Sequence, residues 1–200
     1  MVGIALSVII GGLLGYFFQT PLILDRVDNL IKLGLCLLLF FVGIDIGKNK
    51  GVFDNLKSMD KKVILLPFIT MIGSLLGGAV ASFLTPLSLG ESVAISSGMG
   101  WYSFSAIELS KISAELGGTA FLSNVSRELL AIFTIPFIAK KIGSFPSVAT
   151  AGATAMDSVL PVINKSNPAN ISIIAFYSGF IITLVVPVLV PAMVALFNLG

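Results

Sequence analysis

Histidine is absent from the 200-residue sequence, cysteine occurs once, and charge is scarce: twelve Lys and Arg and ten Asp and Glu make up only 11%. Without histidine there is no histidine metal site, no histidine proton relay and no Ser-His-Asp triad. GxSxG, HExxH and GxGD strings are also missing, so no hydrolase signature is present and no enzyme is expected. The lone Cys36 lies in an apolar segment; it cannot form an intrachain disulfide and reads as a small buried residue. The N-terminus lacks a basic leader and a clear cleavage site, so it reads as a retained helix. Soluble domains carry about 25% charged residues; this composition is that of an integral membrane protein. The net charge of +2 comes from lysines flanking apolar segments, which gives no ground for a nucleic-acid partner.

What is present is long apolar runs. Residues 1–24, 63–90 and 166–200 contain no Asp, Glu, Lys or Arg, and a spanning helix needs roughly 20 apolar residues. Alternation at period two is absent, which argues against a β-barrel. Taken in order, residues 2–18, 30–46, 63–84, 119–139 and 171–197 read as spans of a single polytopic membrane domain. The first carries Gly11 and Gly15 and the third Gly73 and Gly77, two GxxxG pairs that let helices approach closely. The loop at 48–62 holds five lysines against Asp54 and Asp60, which puts it in the cytoplasm. Two further segments are short and broken. Residues 89–109 are interrupted by Gly98 and Gly100; residues 147–163 are rich in Ala, Gly, Ser and Thr, with Asp157 inside and Pro161 just after. Read as re-entrant hairpins, they keep Lys140, Lys141 and Lys165 on the cytoplasmic side. The expected fold is therefore all-α: five transmembrane helices plus two opposed re-entrant helical hairpins, an inverted-topology repeat, with the N-terminus cytoplasmic and the C-terminus outside.

Charge at the middle of a span is costly and needs a reason. Asn124, Arg127 and Glu128 fall at i, i+3 and i+4, on one helix face. The structural reading is a buried Arg–Glu pair. The functional one makes Glu128 a cation or proton site, with Arg127 balancing it or binding a substrate carboxylate. Asp157, with no basic neighbour in sequence, reads either as a helix cap or as a buried unpaired acid able to exchange a proton. Hairpin tips at mid-membrane, near Gly98 and Gly100, would offer helix N-termini to a carboxylate, and hydroxyls such as Ser103 and Thr154 to a cation. Asp45, followed by Lys48 and Lys50, is either an interfacial ion pair or a residue at the mouth of a pathway. No cofactor is expected beyond a coupling proton or sodium ion.

The strings SGMGWYSFSAIEL, GTAFLSNVSRELLAIFTIPFIAKKIG and AGATAMDSVLPVI, with LLLFFVGIDIG at 37–47, resemble the C-terminal domain of the LysO lysine exporter family. The resemblance covers nearly the whole chain. It implies export of L-lysine and toxic lysine analogues, and it implies two intramembrane acids, matched here by Glu128 and Asp157. Many members carry three additional N-terminal spans, which implies that a small three-span partner protein, or a homodimer, completes this chain in the bilayer. The residues alone leave two other readings open: a sodium or other cation/proton transporter, and a non-transporting subunit of a membrane complex.

Overall fold

The computed structural model describes residues 61–200, together with Ile10, Leu13, Leu33, Gly34, Cys36, Leu37 and Phe40, all of which are helical. The chain divides into residues 1–48 and 49–200, and the two units are taken separately. In the first unit Leu33, Cys36 and Leu37 are exposed. Cys36 was expected to be buried; it is exposed, as are Leu33 and Leu37 on the same helical stretch. The candidate spans at 2–18 and 30–46, and Asp45, otherwise lie outside the described residues.

The second unit begins with α1, Lys61–Ala81, whose 21 apolar-rich residues extend about 30 Å, the thickness of a bilayer core. It ends where the Thr85 hydroxyl donates to the Ala81 carbonyl (2.9 Å), just before Pro86. Ser88 then starts α2 (Leu89–Ser96) with a capping box: the Glu91 N–H donates to Ser88 Oγ and the Ser88 N–H to the Glu91 carboxylate. A turn through Gly98, Met99 and Gly100 leads into α3 (Tyr102–Ser110). The long α4, Ala114–Lys141, is capped by Ser113 and carries Glu115 in its first turn and Lys140 and Lys141 in its last, the arrangement its dipole favours. A second pair of short helices follows, α5 (Ser144–Ala151) and α6 (Leu160–Ser166), joined by a 3-10 turn at Gly152–Met156. The last helix is α7, Ile171–Leu196. The described residues contain helices and no strand. Three of the helices, α1, α4 and α7, are long and apolar enough to cross a membrane.

The contacts fix where each end lies. Val63 and Leu66 of α1 cluster with Ile135, Val148, Ile163 and Ile171, so the start of α1, the end of α4, the outer ends of α5 and α6 and the start of α7 share one end of the bundle. At the other end, Gly90 lies against Phe197 and Leu199, and Gly117 against Ala106 and Ser110. The α2–α3 pair thus has both outer ends at one side of the bundle, and the α5–α6 pair has both at the other. Their turns meet in the middle, where the Ala153 N–H donates to the Met99 carbonyl (2.9 Å).

Of the small residues on α1, Gly78 accepts the closest neighbour. Ser92 Oγ donates to its carbonyl (2.6 Å), and a Cβ there would collide with Ser96. Gly73 and Gly77, the GxxxG pair, have nothing within 4 Å of a Cβ position. Gly78→Ala is therefore expected to cost about 1–3 kcal/mol through overpacking, while Gly77→Ala is neutral. Thermal unfolding of the two purified variants checks this; equal melting temperatures would refute the assigned contact.

Candidate functional site

The centre of the molecule is built on α4. Asn124 and Glu128 are 3% and 1% exposed and lie one helical turn apart on its inner face. Asn124 uses its whole amide. Its Oδ1 accepts from the Gly100 N–H (2.7 Å), and its Nδ2 donates to the carbonyls of Ile95 (3.2 Å) and Ala120 (2.9 Å) and to Ser105 Oγ (3.2 Å). It thereby holds the α2–α3 turn, whose backbone departs from helix with Met99 at φ 49° and Gly100 at φ 96°. Gly98 and Gly100 have separate reasons to be glycine. A Cβ on Gly98 would sit 2.7 Å from Ser105 and 2.9 Å from Asn124 Nδ2, whereas Gly100 needs the left-handed conformation. Gly152, at φ 63°, lies against the Met99 carbonyl from the opposite turn, and Thr154 is buried there with its hydroxyl donating to the Ala151 carbonyl (2.8 Å).

Glu128 differs from Asn124. Both of its carboxylate oxygens are buried, and neither has a hydrogen-bond partner. It makes no ion pair with Arg127, contrary to the structural reading of that dipeptide; the ion pair among the described residues is Lys111–Glu108. Consecutive helix residues point about 100° apart, so Arg127 faces the other way. It donates from Nη1 to Ser74 Oγ (2.7 Å), from Nε to the Thr150 carbonyl (3.4 Å) and from Nη2 to the Ala149 carbonyl (3.5 Å). Of the three residues expected on one face, two share it and the third turns into a groove of about 850 Å³ between α1 and α4.

Asp157 corrects a second expectation. It is exposed on the described chain rather than buried, because the 3-10 turn ends at Met156 and turns the next residue outward. Its Oδ1 accepts from the Ser158 N–H (2.5 Å) and the Ser158 hydroxyl (3.2 Å). Tyr102 is the first residue of α3 and packs edge-on against Phe121 of α4. Ser103 follows Tyr102 at the start of α3, half-buried, where the helix begins with no side-chain cap. The residues not singled out from sequence are the partners Ser105 and Ser74 and the turn glycine Gly152. Each is a small residue whose role depends on a neighbour distant in the chain; Ser74 lies between the two GxxxG glycines, the one local hint.

The arrangement is that of a multi-pass helical membrane protein with an unpartnered acid at its centre and non-helical backbone buried beside it. The chain belongs to a family of transporters rather than enzymes: residues 5–194 match the family model described as lysine exporter LysO. It is 34% identical to a putative lysine exporter of Haemophilus influenzae over 184 residues, 92% of each chain. It is also 34% identical to lysine exporter LysO of Escherichia coli over 157 residues, covering 78% of this chain and 52% of that protein. No solved structure matches it.

Asn124→Leu leaves the Gly100 N–H without its acceptor. An unsatisfied buried donor costs about 1–3 kcal/mol, so the variant should melt lower and exchange the Gly100 amide faster. Unchanged exchange at Gly100 would show that the clasp does not hold the turn.

Proposed function

We propose that this protein exports L-lysine and lysine analogues across the inner membrane by alternating access, coupled to protons. The observation that carries this reading is the Glu128 carboxylate, 1% exposed with neither oxygen hydrogen-bonded. An ionised carboxylate buried without a partner is strongly disfavoured. We assign Glu128 as the site where a cation and a coupling proton meet, the cation the family suggests being an ammonium group of lysine. Competition between the two at one acid is the simplest antiport. Asp157, exposed after the second hairpin turn, is the acid we assign to the approach of a cationic cargo or a proton.

The two short helix pairs act as re-entrant hairpins from opposite faces. The backbone of their turns is non-helical at mid-membrane, which is tolerated only inside protein or beside water, and Asn124 and the Met99–Ala153 bond supply the partners. Lysine distribution supports the orientation: Lys61, Lys62, Lys140, Lys141 and Lys165 fall at one end of the bundle, while Glu91, Glu108, Lys111 and Glu115 fall at the other. By the positive-inside rule the first end is cytoplasmic, which places the C-terminus outside.

A sodium or other cation transporter is the second reading, because an unpartnered carboxylate also suits an inorganic cation. Proteoliposomes loaded with labelled lysine separate the two. Glu128→Gln is expected to cut lysine efflux at least about tenfold and to abolish its response to an imposed pH gradient, with Asp157→Asn reducing the rate. Full lysine efflux from Glu128→Gln would remove the acid from the path; sodium flux without lysine flux in the wild type would favour the second reading.

A further inference from the structure

Beside the Glu128 face, about one residue's step around α4, lies a second feature that Glu128 does not line. There the groove between α1 and α4 encloses about 850 Å³, inside the roughly 300–1,000 Å³ of small-molecule sites. Its floor includes Ser96 of α2 and Thr150 of α5, and Arg127 stands at its middle. Two features of this groove are unusual for a membrane helix surface. First, Arg127 has no acidic partner. Its three hydrogen bonds go to one hydroxyl and two carbonyls, and the carbonyl bonds are long, at 3.4 and 3.5 Å. A guanidinium has five N–H donors, so two remain unclaimed, and a cation in low dielectric without a counter-charge calls for an anion. Second, Ser123 and Ser126 line the same groove, exposed, one turn and one residue before Arg127, and neither hydroxyl bonds back to its own helix. Thr70, Thr119 and Thr134 on α1 and α4 all do so, each to the carbonyl four residues earlier. The two serines keep their donors for something in the groove.

We propose that the groove around Arg127 is a carboxylate-binding site that takes the α-carboxylate of the amino-acid cargo. It rests on lysine as cargo and adds the group that distinguishes an amino acid from a simple diamine. A planar guanidinium with two free N–H groups is the side chain best suited to grip a carboxylate with two parallel bonds, and the serine hydroxyls supply further donors. Glu128, the next residue, does not line the groove, so the groove itself reads the carboxylate end of the cargo. A carboxylate on the two free N–H groups leaves the bonds to Ser74, Ala149 and Thr150 in place.

The test compares L-lysine with cadaverine, which has the same two amines' reach but no carboxylate. Each is titrated as a competitor of labelled-lysine efflux from proteoliposomes of the full chain. In the wild type, lysine should compete at least about tenfold better than cadaverine, the scale of a charge-assisted bidentate bond. In Arg127→Gln that ratio should fall to near one. Ser123→Leu fills the groove while breaking no hydrogen bond, so it guards against a folding defect in the arginine variant, and it should also lower the ratio. A merely structural loss would weaken both competitors equally and leave the ratio intact, which overturns the proposal, as does a wild type that does not distinguish the two compounds. If the wild type moves no lysine at all, the transport reading itself fails, and that is seen before any variant is measured.

Discussion

In hydrocarbon there is no water to satisfy an unwound backbone, so every N–H and C=O released from a helix must find a partner within the protein. Two short helix pairs turn back at the middle of this molecule, and that constraint governs what surrounds them. The Met99 carbonyl takes the Ala153 N–H from the opposite turn, and the Gly100 N–H goes to Asn124. Gly152 leaves no Cβ to push the Met99 carbonyl away, Gly98 makes room for Ser105 and Asn124, and Gly100 takes the left-handed conformation of its turn. The turns hold each other, and α4 holds the first of them.

Around this clasp α4 divides its labour by face. The inner face presents Asn124, fully satisfied, and one turn later Glu128, wholly unsatisfied. The contrast is informative because the two share the same depth and burial: the protein can supply partners at that level and does so for the amide, yet leaves the carboxylate bare. The groove face repeats the pattern in the opposite sign, with a guanidinium partly satisfied by carbonyls and two serine hydroxyls unclaimed. The proposed cargo, a zwitterion with an extra amine, would supply a partner to each face.

Arg127 also ties the helices together through few bonds. Arg127 touches α1 through Ser74, and Ser74 in turn donates to the Ser96 carbonyl of α2 (2.9 Å). The same guanidinium reaches α5 through the Ala149 and Thr150 carbonyls. One side chain thus joins a long helix to an arm of each hairpin, and the weakest of its links are those to the second.

Composition and charge placement alone determined that the chain lies in a membrane and is helical, because 11% charge and uncharged runs longer than 20 residues have no soluble solution. The glycines at 98 and 100 and the small-residue stretch before Asp157 marked where helices break, since glycine cost and turn preference are local properties. The importance of Asn124, Arg127 and Glu128 was equally visible, for polar groups inside an apolar run need no context to be conspicuous. Which way each points was not. Periodicity grouped the three on one face, but a 100° step per residue separates neighbours, and only the groove beside α1 and the carbonyls of α5 drew Arg127 away from Glu128. Asp157 was expected buried from its apolar surroundings in sequence, whereas the end of a 3-10 turn set its direction. Gly78 rather than the GxxxG pair took the close contact because the approach of α2 chose the register. Local chemistry is written in the sequence; partners many residues apart are chosen by tertiary structure, where burial decides which polar groups must be satisfied and which are left for a ligand.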